Sequence, residues 1–179
     1  MGQVRIETIP FENTVRECVS HGISQVLIVC AWLSYDPILT LFAKARIAAE
    51  EWRIDCAARE SSDEIVQRSG LEAFTERFRQ EGRSWLPELL IFPDDDFLAA
   101  GCLMALLAEG VRVPEDVRVV TLANKGIGPV FVKPLTRFEI DPRLFGAQIA
   151  QYACNYLNGQ GVPEDASVSP VYVSGDTFP

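Results

Sequence analysis

Short apolar runs alternate along this chain with longer stretches in which apolar residues recur at helical spacing. The runs at residues 26–31, 89–92 and 117–122 are rich in β-branched and aliphatic side chains. Runs of this length and composition are typical of strands that are covered on both faces. Helices are predicted at about residues 11–21, 37–52, 63–81 and 96–109. Strands that alternate with helices in this way predict an α/β fold with right-handed crossovers and a parallel sheet.

A last helix is predicted at about residues 142–158. Asp141 can cap its first turn, Pro142 suits the first helical position, and Gly159 closes it. Its apolar side chains recur at helical spacing and predict one buried face. They are Phe145, Ile149, Tyr152, Ala153 and Tyr156.

The size and charge of the chain narrow the classes of function. Its 179 residues fit one large domain or a piece of a two-lobed one. A formal net charge of −9, without any run of Lys and Arg, argues against a surface that neutralises phosphates. We therefore expect that this chain does not itself bind DNA.

The cysteines indicate a reducing compartment. There are five of them, none in a C-x-x-C pair, and Cys30 and Cys102 lie in apolar runs. The polar first ten residues do not resemble a signal peptide, and no apolar run reaches the ~18 residues of a membrane span. These features predict a cytoplasmic protein.

The acidic cluster Asp94, Asp95 and Asp96 is the most conspicuous polar feature. It follows a predicted strand, where open α/β sheets bind ligands. One interpretation is a metal-dependent phosphatase or a receiver-like domain, with Thr121 and Lys133 as further members of the site. The order and spacing of these residues do not fit a receiver. The alternative is a helix N-terminus at which one or two of the acids serve as caps.

No other set of residues indicates catalysis. His21 is the only histidine and lies at a predicted helix end, where it can cap carbonyl groups. Gly126 and Gly128 form a lone G-x-G, which is poor support for a dinucleotide site. Trp32 and Tyr35 follow a strand and can either stack on a ligand or pack over the sheet. The residues therefore predict a non-enzymatic binding scaffold with no cofactor and no metal.

Four linked motifs resemble one family of transcription regulators. Asp-Asp-Phe-Leu-Ala-Ala-Gly at residues 95–101 resembles the Asn-Asp-x-x-Ala-x-Gly signature of the lactose-repressor and purine-repressor (LacI-type) family. The segments at residues 109–120, 134–136 and 141–146 follow at the family's spacing. The match is looser but ungapped upstream, from His21 onward, and so covers nearly all of the chain.

The resemblance implies a three-layer αβα architecture of the periplasmic-binding-protein-like type I class. Residues 1–137 would form the C-terminal lobe of the effector-binding core. Residues 138–160 would be a strand and helix that belong to the other lobe in the family, and residues 161–179 would return to the C-terminal lobe. The DNA-binding head, the hinge and most of the other lobe would be missing. The apolar stripe of the last helix would then be covered by a second copy or by a new surface.

The resemblance also implies an effector site. Asp95 stands at the family's pocket Asn, and Ser34, Tyr35 and Asn124 are the other expected ligand-binding residues. Leu41 and Ala123 occupy the positions of the family's pocket Arg and Asp. Since those groups form the charge-assisted bonds to sugar hydroxyls, a simple sugar is not the expected ligand.

The function implied is that of an effector-sensing and oligomerisation domain of a LacI-type regulator. Its partners would be a small-molecule effector and a second copy in a homodimer, with DNA bound only through the missing head and no membrane contact. A solute-binding protein of the same fold is an alternative, and the missing signal peptide argues against it.

Overall fold

The computed structural model describes residues 9–32, 34–56, 62–93, 96–161 and 170–178. Its strands are β1 (Gln25–Cys30), β2 (Ala48–Arg53), β3 (Leu89–Phe92), β4 (Arg118–Asn124), β5 (Thr136–Ile140) and β6 (Val171–Val173). Its helices are α1 (Ile9–Ser20), α2 (Asp36–Lys44), α3 (Asp63–Glu81), α4 (Asp96–Ala108) and α5 (Pro142–Leu157), with a 3-10 turn at Arg83–Trp85. None of the helices described is long and apolar enough to cross a membrane.

The strands form one sheet in the order β2-β1-β3-β4-β5-β6. The first five are parallel, and β6 pairs antiparallel with β5. The chain moves outward from β1 to β2 and then crosses back to β3, so the strand order reverses between β1 and β3. The prediction of an α/β fold with a mainly parallel sheet is confirmed.

Alternate residues of the strands contribute to two separate hydrophobic cores, one on each face of the sheet. On one face, Leu27, Leu90 and Val119 pack against α3 and α4. On the other face, Ile28 and Ile91 pack against α1 and α2. Because both faces are covered, the central strands are apolar at successive positions, which is the sequence pattern that predicted them.

Two glycines let α3 and α4 approach closely. A Cβ at Gly70 would lie 2.6 Å from the backbone oxygen of Leu98, and a Cβ at Gly101 would collide with the backbone carbonyl of Gln67. The thiol of Cys102 donates to the oxygen of Gly70 across the same contact, at 3.5 Å. The two helices are therefore held together almost backbone to backbone.

The crossover from β4 to β5, residues 125–135, contains no helix. Phe131 packs against the core on the α3 and α4 side of the sheet, so the crossover runs over that face. Val130 and Val132, on either side of Phe131, are 95% and 73% exposed. A short extended segment thus takes the place of the helix that usually covers a parallel pair.

The segment after β6 is fixed to the start of β5 by buried hydroxyl groups. Thr177 Oγ1 accepts from the Thr136 backbone N–H at 2.9 Å and donates to the Val119 oxygen at 2.8 Å. Thr136 Oγ1 donates to the Phe178 oxygen at 3.1 Å. Both threonines are fully buried. This segment therefore completes the sheet rather than lying on its surface.

Helix α5 stands apart from this body. Asp141 caps it by accepting from the backbone N–H of Arg143 at 3.0 Å, as predicted. None of its residues is buried, and its large apolar side chains face solvent. They include Leu144, Phe145, Ile149, Tyr156 and Leu157.

Most of the predicted elements are confirmed, and one is wrong. The helix expected at residues 37–52 ends at Lys44, and Ala48–Arg53 form the edge strand β2. Arg46, at φ 61°, breaks the helix in the left-handed region. The alanines and glutamates that suggest a helix here pair instead with β1, because the edge of the sheet tolerates half-exposed residues.

Candidate functional site

The carboxyl ends of the parallel strands meet at one edge of the sheet. The order reverses between β1 and β3, which opens a crevice at this edge in α/β sheets. Described residues that follow β1 and end β4 lie at this edge. The strands are about 4.8 Å apart, so the ends of β1 and β4 lie about 10 Å from each other, on either side of β3.

Ser34 and Tyr35 follow β1 and differ in exposure. Ser34 is exposed, and its hydroxyl donates to a carboxylate oxygen of Asp36 at 3.1 Å. Tyr35 is 2% exposed, and its ring lies 6.4 Å from that of Phe11, centroid to centroid, in the α1 and α2 core. Of the two, only Ser34 has an exposed side chain, whereas the ring of Tyr35 packs in the core.

Asn124 ends β4 and is exposed at the same edge. It also lines a cavity of about 460 Å³ formed with the crossover between β4 and β5. The structure therefore brings Ser34 and Asn124 to one edge of the sheet. Neither Ser34 nor Tyr35 lines the Asn124 cavity.

The fourth expected site residue, Asp95, lies outside the described residues, as does Asp94. Strand β3 ends at Phe92 and helix α4 begins at Asp96. The contribution of Asp94 and Asp95 to the site stays a prediction.

The described residues do not favour the receiver-like interpretation. Lys133 forms an ion pair with Glu115 at 2.9 Å and precedes β5, at the amino edge of the sheet. Thr121 is fully buried. Within the part of the chain that the structure describes, no acidic, histidine and cysteine side chains gather in a group that could hold a metal ion.

The structure adds charged residues at the carboxyl edge that sequence reasoning missed. Glu51 accepts from the Tyr35 backbone N–H at 2.7 Å and from the Arg53 guanidinium at 3.1 Å. The side chain of Glu51 is 18% exposed and that of Arg53 is 51% exposed. Glu51 thus fixes the loop after β1. Glu51 was missed because residues 48–52 were assigned to a helix, which places them away from a strand end.

A second ion pair joins the end of β4 to the start of α5. Lys125 Nζ lies 3.1 Å from a carboxylate oxygen of Asp141. The hydrogen bond from Lys125 is the main cause that lowers the pKa of Asp141 below its usual value, and the α5 backbone N–H groups add to it. Asp141 therefore stays ionised at neutral pH and anchors the first turn of α5.

The thiols and the histidine do not form an activated nucleophile. Burial raises the pKa of Cys18 to about 12, so its thiol is protonated at neutral pH. His21 Nδ1 lies 2.9 Å from the Glu17 carbonyl oxygen, the helix-capping position that its sequence context suggested. The described side chains at the carboxyl edge can bind and orient a polar ligand through hydroxyl, amide and guanidinium groups.

Comparisons with known proteins agree with this architecture. The sequence profile of the periplasmic binding protein-like domain family matches residues 15–178. No curated protein sequence matches this chain at a significant level.

Several solved structures are similar in fold. A LacI family transcriptional regulator from Arthrobacter sp. FB24, in complex with lactose, superposes with a TM-score of 0.73 at 18% identity, covering 96% of this chain and 63% of the regulator. A LacI family regulator from Bifidobacterium animalis subsp. lactis gives 0.71 at 17% identity, covering 93% and 59%. A dimeric Lac repressor gives 0.71 at 20% identity, covering 92% and 59%. The chain thus spans less than two thirds of the length of these regulators.

Proposed function

Because this chain belongs to the periplasmic binding protein-like domain family, we propose that it is the effector-sensing part of a LacI-type transcription regulator. The observation that carries the proposal is the superposition of 96% of the chain on such a regulator. The four sequence motifs that resemble those of LacI-type regulators also support the proposal. The protein is proposed to bind rather than to catalyse, and to act in the cytoplasm.

The effector is proposed to bind at the carboxyl edge, between the loop after β1 and the end of β4. Ser34 and Asn124 supply a hydroxyl and an amide there, with Asp95 as a further contact. Tyr35 contributes through its position in the loop, because its ring is buried. Leu41 and Ala123 bear no polar groups at the positions of the family's pocket Arg and Asp, so the effector is proposed not to be a simple sugar.

In a whole regulator, this part would respond by a shift between two lobe arrangements that differ in affinity for the effector. Residues 1–137 and 161–179 are proposed to belong to the lobe seen here. Helix α5, within residues 138–160, is proposed to pack in the other lobe, since it buries no side chain on the present body. The strand part of that range is β5, which pairs with β4 in this sheet. DNA binding would reside in a separate head.

Ligand-induced stabilisation tests the effector site. The purified chain is heated with a panel that contains lactose, other mono- and disaccharides, purine bases and amino acids. A compound at 100 times its Kd raises the free energy of unfolding by about 2.7 kcal/mol, which appears as a saturable rise in Tm. We expect a non-sugar compound to produce this rise and Asn124→Ala and Ser34→Ala to reduce it.

Asn13→Ala, on the exposed side of α1, is the matched control and should leave the rise unchanged. A response to sugars alone would contradict the proposed ligand class. A response that both edge variants leave intact would remove the site from the carboxyl edge. Chemical conversion of the bound compound would contradict a purely sensing role.

A further inference from the structure

A small cavity lies at the amino edge of the sheet, beside the starts of β1 and β2. Its volume is about 210 Å³, and it is lined by residues 25–27, Ala48, Glu50, Trp85 and Pro87. The six residues of β1 span about 20 Å. The cavity is therefore separate from the proposed effector site, which lies at the carboxyl edge of the same sheet.

The pairing of β1 with β2 explains why space remains here. Ala48 and Glu50 lie at alternate positions of β2 with Trp52, which packs against the α3 and α4 core, so all three share one face of the sheet. Ala48 lies beside Gln25 in the parallel register. Because Ala48 has only a methyl group, it leaves room between the two strands and Trp85.

Glu50 gives the cavity a negative charge. Its side chain is exposed, and no described residue forms an ion pair or a hydrogen bond with its carboxylate. A second carboxylate, that of Glu88, follows Pro87 and accepts from the Gln25 backbone N–H at 3.0 Å. Hydrogen bonds from Ser24, above all from its backbone N–H, lower the pKa of Glu88, so this group is ionised at neutral pH. The two carboxylates together attract a cation to this edge.

Trp85 supplies an aromatic wall that is fixed in place. Its ring forms edge contacts with Phe74 and Trp52, at centroid distances of 5.0 and 5.5 Å. It already binds one cation, since the Arg77 guanidinium lies 4.5 Å from the ring centroid and pairs with Glu81 at 3.0 Å. Arg77 does not line the cavity, so the guanidinium and the cavity meet different parts of Trp85. Tryptophan is the aromatic side chain that attracts cations most strongly.

The remaining walls narrow the class of cation. A primary ammonium carries three N–H donors that need acceptors, whereas Glu50 and Gln25 are the two polar side chains of the lining. A quaternary ammonium has no N–H donor, and its methyl groups suit the apolar walls formed by Val26 and Pro87. The volume lies below the about 300 Å³ at which pockets for larger ligands begin. The cavity therefore fits a compact head group.

We propose that this cavity binds a small quaternary ammonium ion, with Trp85 in cation–π contact and Glu50 as the counter-charge. The site shares no residue with the proposed effector site and does not depend on the proposed function. A chain with both sites would respond to two ligands of different charge.

Nuclear magnetic resonance of the isotopically labelled full chain tests the site. Choline and tetramethylammonium are titrated in about 0.1 M NaCl, which screens general attraction to the acidic protein. We expect a saturable shift of the Trp85 indole N–H signal with a Kd of about 1 mM, because one cation–π contact and one exposed carboxylate hold the ion. The uncharged analogue of choline, with a tert-butyl group in place of the trimethylammonium group, should bind several-fold more weakly.

Variants of exposed residues separate this site from general charge attraction. Glu50→Gln should raise the Kd about fivefold, the range that one exposed ion pair supplies. Glu12→Gln, on the opposite face of the sheet, removes the same charge and should leave the Kd unchanged. Ala48→Leu should block binding, because its larger side chain fills the cavity.

Three results would overturn the proposal. They are a shift that does not saturate, equal binding of choline and its uncharged analogue, and a Kd that responds to Glu12→Gln as strongly as to Glu50→Gln. Because Ala48 and Glu50 are exposed on the edge strand, both variants should keep the wild-type Tm. Binding that survives Ala48→Leu in a folded protein would likewise exclude the cavity.

Discussion

At the residue scale, Gly101 shows how a missing side chain determines the packing of two helices. Its Cα lies against the backbone of α3, and an added Cβ would meet the Gln67 carbonyl and lie 2.9 Å from the Leu71 nitrogen. Backbone atoms cannot rotate away as side chains do. The glycine is therefore required for the close approach, although its helical position would favour alanine.

The substitution Gly101→Ala is expected to lower the free energy of unfolding by about 1–3 kcal/mol, because α3 and α4 must separate to admit the methyl group. The matched control is Gly146→Ala on α5, where no atom lies within 4 Å of the added Cβ. There the higher helix propensity of alanine should stabilise by up to about 1 kcal/mol. Urea denaturation of both variants measures the two effects, and equal responses would contradict the close packing.

The candidate site was predictable from the sequence only in part. Ser34 and Asn124 follow apolar strands, and the ends of parallel strands share an edge, so their common location follows from the strand pattern. Packing of Tyr35 over the sheet was one of the two alternatives that the strand pattern left open, and the pattern alone does not choose between them. That ring packs against Phe11 of α1, and a contact between two distant elements leaves no trace in local spacing.

At the scale of elements, the bounds of α3 and α5 were predicted nearly to the residue. Each helix follows a residue of a type that caps helices and has a glycine within two residues of its end. Strand β2 was missed because Ala and Glu favour helices, and only pairing with β1 makes the segment extended. The sequence pattern also did not predict that the crossover between β4 and β5 lacks a helix or that β6 is a strand. Their conformations depend on the strands that they cross or pair with.

The Thr177 hydroxyl is one of two buried hydroxyl groups that attach the final segment. Thr177→Val keeps the shape of the side chain but removes the donor to Val119 and the acceptor for the Thr136 N–H. Each buried group left without a partner costs about 1–3 kcal/mol. We expect a loss of stability in that range or above it in a thermal melt.

Thr177→Ser, which retains the hydroxyl, serves as the control and should keep most of the stability. If valine leaves the stability unchanged while serine lowers it, the methyl contact rather than the hydrogen bonds would hold the segment in place.

At the scale of the whole molecule, the homodimer that the family resemblance implies would couple folding to association. When two copies must separate before they unfold, Tm rises with protein concentration. We expect this rise for the wild type. Differential scanning calorimetry over a hundredfold range of concentration measures it. A wild-type Tm that does not depend on concentration would argue against any dimer.

The route of the chain between β5 and β6 has a further consequence. Helix α5 leaves the sheet after Ile140 and the chain re-enters it at Val171, and the neighbouring residue Glu139 is paired with Val171. The two points of attachment are thus adjacent across a single antiparallel ladder. Whatever stands between them can be shortened to a tight hairpin, enlarged or exchanged without changing any pairing of the strands. A new module could therefore be inserted at this junction without changing the strand pairings of the rest of the fold.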